Sequence, residues 1–236
     1  MGIQVSLSTG RAVQACLRIL NQLSLDDYHI FFDGALVSNP NSEREIYVQP
    51  LSPAIVKQAI EFAHLNDIYL ELFSATRYFV EQEAWPVVIR RQFFGVEPTV
   101  VDFTHLWSQE RIIKAGLITS SPQEAEKVKR FRLYFNDSLR FSGARTPAYP
   151  GVDFINVVDP QVSKGRALEA LASYLGIPLT EVIAIGDGIN DIPLLSMAGL
   201  AIAMGDAPEE VKAIADYVTS DVDHSGVAVA INKFLL

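Results

Sequence analysis

Val182-Ile183-Ala184-Ile185-Gly186-Asp187-Gly188-Ile189-Asn190-Asp191 decides the fold: four consecutive apolar residues run directly into a glycine-flanked carboxylate. A short, uninterrupted apolar run is the pattern of a strand buried on both faces. Leu200-Ala201-Ile202-Ala203-Met204 and Tyr217-Val218-Thr219 repeat it, and helical stretches predicted near 164 to 175, 190 to 198, 208 to 215 and 225 to 235 alternate with them. Repeated β-α predicts an α/β fold, a doubly wound Rossmann-like parallel sheet. Gly176 follows Tyr174-Leu175, where a helix carboxyl cap is expected. In an open α/β sheet the ligand site lies off the carboxyl ends of the strands, which is where this pattern puts Asp187. Gly186 and Gly188 allow a tight turn there, and Asn190 and Asp191 open the next helix. Oxygen ligands of this kind favour a hard cation such as Mg²⁺. Spacing alone also allows a blander reading, with Asn190 as a helix cap and Asp187 as a turn former.

At the other end of the chain, Ile3-Gln4-Val5-Ser6-Leu7 and a helix predicted from about 11 to 23 supply one more β-α unit. The middle reads differently. It begins after Ser38-Asn39-Pro40-Asn41-Ser42, a turn-rich stretch taken as a linker. Ser52-Pro53 opens a helix whose Ile55, Val56, Ala59, Ile60 and Ala63 share one face, and a second helix is predicted from about Pro122 to Phe131. Strand-like runs lie at 46 to 48, 68 to 73, 112 to 118, 132 to 135, 139 to 142 and 152 to 158. Strands with a few helices predict an α+β domain, residues 39–155, inserted into a core formed by 1–38 and 156–236.

The 236 residues are 49% hydrophobic and 20% charged, which excludes disorder and suits a large core. No apolar run reaches the ~20 residues of a bilayer span, and a secretory leader pattern is lacking, so the default is a cytoplasmic protein without a membrane partner. Cys16 is the only cysteine and is expected to pack in the first helix. Basic and acidic residues number 2 and 3 in residues 1–39, 13 and 14 in 40–155, and 4 and 11 in 156–236. An acidic tail without a clustered basic face argues against nucleic acid.

Two further motifs point to phosphate. Lys164 and Arg166 stand in the first turn of a predicted helix, where a cation opposes the helix dipole unless an anion lies nearby. Ser8-Thr9-Gly10-Arg11 presents a hydroxyl and backbone N–H groups at a strand end. In their order, Thr9-Gly10-Arg11, Asp33-Gly34-Ala35, Lys164-Gly165, Gly186-Asp187-Gly188-Ile189-Asn190-Asp191 and Met204-Gly205-Asp206-Ala207 resemble the haloacid dehalogenase superfamily of phosphohydrolases. Within it, the chain resembles the Cof-like phosphatases with a large inserted cap. The resemblance implies that Thr9 and Gly10 bind the substrate phosphoryl group and that Lys164 neutralises it. It further implies that Asp187 ligates Mg²⁺, with Asn190 and Asp191 completing the metal and phosphate shell.

The same resemblance implies an aspartate nucleophile and a second aspartate acting as general acid and base, both in an Asp-x-Asp-Gly-Thr element on the first strand. The sequence contains no such element. His29 to Val37 mimics it but puts Phe31 at the nucleophile position and matches the family's Asn-Gly-Ala stretch better; Asp221-Val222-Asp223 lacks the following Gly-Thr. An amino-terminally shortened version of a longer protein is the expected explanation, the alternatives being a sheet that closes up or a strand donated by another chain. An open sheet edge would favour a homodimer. The expected activity is Mg²⁺-dependent hydrolysis of small phosphorylated metabolites, sugar phosphates first among them, impaired here for want of the nucleophile. The alternative is a relative that binds a phosphorylated ligand or a partner without turnover. Arg77, Arg90, Arg91, Arg130 and Arg132 are expected at the surface, Phe73, Tyr78, Phe79, Trp85 and Trp107 in the cap core, and the four histidines without a role.

Overall fold

The structure, a computed structural model, describes residues 2–144, 146 and 148–236. It divides into two compact units, Met1–Val162 and Ser163–Leu236. The fold is α/β, with a parallel sheet in the second unit and a mixed sheet in the first.

The first unit contains two sheets. Strands β1 (His29–Phe31), β2 (Leu36–Asn39) and β3 (Arg44–Val48) form an antiparallel meander preceded by helix α1 (Leu17–Gln22). The larger sheet has the order β6-β5-β4-β7-β9-β8, with β4 (Leu70–Phe73), β5 (Tyr78–Val80), β6 (Thr99–Val100), β7 (Lys114–Thr119), β8 (Arg140–Ala144) and β9 (Asp153–Val158). Alternation along these strands gives its two faces different characters. One face, with Leu72, Ala115, Leu117 and Val157, packs under α2 (Pro53–Leu65) and α5 (Pro122–Tyr134), which bring Val56, Ile60, Val128 and Phe131. The other carries Phe73 and Val158, which join a second core with Phe31, Phe32, Leu36 and Cys16. On that second face Glu71, Gly116, Asn156 and Ser142 pair in one row across four strands. Helices α3 (Trp85–Ile89) and α4 (Leu106–Gln109) lie in the connections between β5, β6 and β7.

The second unit is β-α in series: α6 (Lys164–Leu175), β10 (Ile183–Gly186), α7 (Ile192–Leu195), β11 (Leu200–Ala203), α8 (Glu209–Lys212), β12 (Tyr217–Val218) and α9 (Gly226–Phe234). The three strands pair in parallel in the order β10-β11-β12. Ser163 caps α6 by accepting a hydrogen bond from the Arg166 amide at 3.1 Å. Gly176 ends it in the left-handed conformation at φ 69°, as its position after the apolar helix face predicts.

Several local expectations differ from the structure. Of residues 132–135, read as a strand, 132–134 continue α5 and Phe135 caps it: a Ser121/Glu124 capping box starts the helix, and Val128, Phe131 and Phe135 are buried together. The stretch 38–42, read as a linker, is the hairpin between β2 and β3, with Asn39 accepting from the Asn41 and Ser42 amides. Residues 3–7 form no named strand, although Leu7 and Thr9 flank Ile30 through hydrogen bonds of 2.8 and 2.9 Å and Ser8 bridges to Ile30 in parallel. The predicted helix 11–23 is a 3-10 turn at Val13–Ala15 followed by α1. Arg90, expected at the surface, is buried and paired with Glu71. Phe73, Tyr78 and Phe79 are buried, whereas Trp85 remains 37% exposed.

Candidate active site

In the second unit the end of β10 and the start of α6 converge on Asp191. Lys164, the first residue of α6, sends Nζ to Asp191 Oδ1 at 2.5 Å, and both side chains are buried. The other oxygen, Oδ2, accepts from the Asp187 and Gly188 amides, each at 3.0 Å. Asp191 therefore holds the lysine and also shapes the turn that carries Asp187. Only glycine fits at 186 and 165. A Cβ on Gly186 would lie 2.6 Å from the Asp191 Cβ, and one on Gly165 would lie 2.5 Å from the Pro193 carbonyl oxygen, where α6 and α7 cross. Asn190 folds its amide oxygen over Gly188.

Asp187 is itself solvent-facing. Partial burial raises its carboxyl above the usual carboxylate range, and the Asp191 and Asp206 charges add to that rise while Lys164 opposes it. A carboxylate whose charge is disfavoured in this way gains from a nearby cation. Among the described residues, no group of three or more His, Cys, Asp or Glu side chains is placed to hold a metal ion. Mg²⁺ needs no such cage, being held by one or two carboxylates with waters and substrate phosphate oxygens in the remaining positions. The oxygen donors at Asp187 fit that mode of binding.

Thr9 and Gly10 belong to the first unit. Thr9 Oγ1 accepts from the Arg11 amide at 3.2 Å, and the Thr9 amide donates to the Ile30 carbonyl. Asp33 lies directly behind the loop, donating its amide to the Thr9 carbonyl at 3.0 Å, and a Cβ on Gly10 would come within 2.7 Å of Asp33 Oδ1. Thr9 and Gly10 are thus brought together in one unit, and Lys164, Asp187, Asn190 and Asp191 in the other.

Sequence reasoning passed over the polar cluster beneath the Thr9 loop. Lys114, at the start of β7, is 3% exposed, hydrogen bonds to Asn156 Oδ1 at 2.9 Å, and lies over the Phe32 and Phe73 rings. Asn156 Nδ2 and Ser142 Oγ both donate to Asp33 Oδ2 at 3.1 Å. A lysine following Ile112-Ile113 in an apolar run was the available signal.

A sequence profile of the haloacid dehalogenase-like hydrolases matches residues 1–231. Phosphatase YwpJ of Bacillus subtilis is 26% identical over 251 aligned positions that cover 96% of this chain and 86% of its own. Among solved structures, the subclass IIB sugar phosphatase BT4131 is 26% identical with a TM-score of 0.76, covering 99% of this chain and 86% of its own. TM0651 of Thermotoga maritima shares the fold at 23% identity and a TM-score of 0.85, covering 98% and 85%. With nearly its whole length matched by that profile, the chain belongs to the haloacid dehalogenase-like hydrolase family.

Proposed function

We propose that the protein is a phosphatase of the Cof-like kind, acting on small phosphorylated metabolites of the sugar phosphate class. The observation that carries this reading is the buried Lys164–Asp191 pair behind the exposed Asp187 carboxylate. It sets a fixed cation beside a carboxylate of the kind that suits Mg²⁺, at a strand end. Relatives named as phosphatases, including a sugar phosphatase, support the substrate class. In this reading residues 1–38 and 156–236 act together as the core and 39–155 as the cap. Thr9 and Gly10 bind the phosphoryl oxygens, and Lys164 neutralises them. Asp187 holds Mg²⁺, while Asn190 and Asp191 complete the shell, Asp191 by orienting Lys164 and the 187–188 turn. The metal, when bound, offsets phosphate charge and polarises the phosphoryl group.

The 236 residues contain no Asp-x-Asp-Gly-Thr element, so they lack the family's aspartate nucleophile. Phosphate release from a generic aryl phosphate with Mg²⁺ is therefore expected to be negligible for these residues alone and measurable once that element is joined to the amino end. Equal turnover by both would show that the nucleophile has been misassigned. The second reading, a phospho-ligand binder without turnover, predicts that the extended protein stays inactive yet binds inorganic phosphate.

A further inference from the structure

We propose that Lys114, acting with Asn156 and Asp33, is a positioning residue that fixes the Thr9–Arg11 loop so that its carbonyls turn away from a bound oxyanion. The inference rests on the phosphate-binding role proposed above for Thr9 and Gly10. A peptide loop attracts an anion only when its N–H ends face the ligand, because each carbonyl oxygen facing it repels. All three carbonyls of the loop are tied inward. The Thr9 oxygen accepts from the Asp33 amide at 3.0 Å, the Gly10 oxygen from Lys114 Nζ at 3.4 Å, and the Arg11 oxygen from the Phe32 amide at 3.1 Å. Two of these donors belong to a turn in an uncommon conformation, with Phe32 at φ 53° and Asp33 at φ 58°. A bulky residue such as phenylalanine seldom adopts positive φ, and such strain persists only where the surroundings over-determine it.

The surroundings here are the row on the larger sheet. Asn156 is read in both directions, its oxygen accepting from the Lys114 ammonium and its nitrogen donating to the Asp33 carboxylate, so its amide orientation is fixed. Ser142 adds a second donor to the same carboxylate oxygen. Lys114 thereby reaches the loop twice, directly at Gly10 and through Asn156 and Asp33 at the turn behind it. The ammonium is also the buried cation next to the loop, since the guanidinium of Arg90 is engaged by Glu71 through two hydrogen bonds.

The groups facing the Lys114 ammonium are Asp33 from the turn, Glu71 from β4, Arg90 after α3 and Cys16 ahead of α1. Burial first, then Arg90, pull Lys114 down to about 8, with Asp33 and Glu71 opposing. Burial pushes the Cys16 thiol up to about 11, which keeps it neutral over the range in which Lys114 titrates. Lys114 loses its charge as the pH rises through about 8, and oxyanion binding at the loop weakens with it.

Tungstate, an oxyanion that stays doubly charged across this range, is titrated calorimetrically into the whole protein between about pH 7 and pH 9.5. Affinity is expected to fall roughly fivefold over that interval, the difference between a charge-assisted contact and a neutral one. Lys114→Met is expected to bind as weakly at the lower pH as the unaltered protein does at the upper, with no pH dependence. A flat profile for the unaltered protein, together with Lys114→Met and Lys114→Arg binding as tightly as the parent, overturns the inference. Lys114→Met binding as tightly as the parent, while Thr9→Ala abolishes binding, overturns it and leaves the phosphate role of Thr9 standing. Tungstate binding that Thr9→Ala leaves untouched overturns that role and the inference together.

Discussion

At the scale of single residues, the Lys164–Asp191 contact illustrates what a buried ion pair does. Its two charges are nearly removed from water, and the cost of that removal offsets most of their attraction, so the pair adds little net stability over an apolar substitute. Removing one partner is a different matter, because the other charge is left buried and alone. Asp191→Ala would orphan the Lys164 ammonium and also the Asp187 and Gly188 amides, and is expected to destabilise the fold by about 3–5 kcal/mol in urea denaturation at neutral pH. The double variant Lys164→Met/Asp191→Asn, whose amide oxygen can still accept from the two backbone N–H groups, is expected to recover most of the loss. A loss of less than about 1 kcal/mol for Asp191→Ala would mean that Lys164 finds water or another partner. The pair therefore fixes geometry: it aims a lysine at the end of β10 and sets the turn from which Asp187 projects.

At the scale of elements, α5 shows how local signals compete. Phe131-Arg132-Leu133-Tyr134-Phe135 has the apolar-polar texture of a strand, yet its start signal lies ten residues earlier. Ser121 Oγ accepts from the Glu124 amide at 3.2 Å, and Glu124 Oε2 accepts from the Ser121 amide at 3.0 Å, closing a capping box that commits the following residues to helix. Ser121→Ala is expected to cost about 1 kcal/mol by chemical denaturation, whereas a solvent-exposed serine elsewhere would cost almost nothing. Burial pushes the Glu124 carboxyl up, but hydrogen bonds from Ser120, Ser121 and Trp85 outweigh it and hold the carboxyl below its usual 4.5. Its contribution is thus complete above that pH and lost as the pH falls below it. Single-element reading succeeded wherever one physical signal acted alone, as with the continuous apolar runs of β10 and β11 and the glycines around Asp187. It could not reach the cluster of Asp33, Lys114, Ser142 and Asn156, because nothing in the local pattern of any one of them announces the others. They meet through strand register, Ser142 opposite Asn156 and Asn156 opposite Gly116, two positions along β7 from Lys114.

At the scale of the whole molecule, the proposed function makes a demand that neither unit meets alone. The hydroxyl of Thr9 and the amide of Gly10 assigned to phosphate stand in the first unit, and the cation and the carboxylate proposed to serve phosphate and metal, Lys164 and Asp187, stand in the second. A ligand that uses both sets must stabilise both units at once. Anything that binds only the native state stabilises it by RT ln(1 + [L]/Kd), about 2.7 kcal/mol at a hundredfold excess over Kd. For a protein of 236 residues that corresponds to a rise in Tm of roughly 5–10 °C. The two tryptophans, Trp85 and Trp107, both lie in the first unit, so their fluorescence follows it, while far-ultraviolet circular dichroism follows both units. Tungstate with Mg²⁺ is expected to raise the fluorescence and circular dichroism midpoints together. Thr9→Ala should abolish the shift in both signals, and Asp187→Asn should remove the part that depends on Mg²⁺. If tungstate moved the circular dichroism midpoint and left the fluorescence midpoint in place, Thr9 would not share a ligand with Lys164. The phosphate site would then belong to residues 163–236 alone.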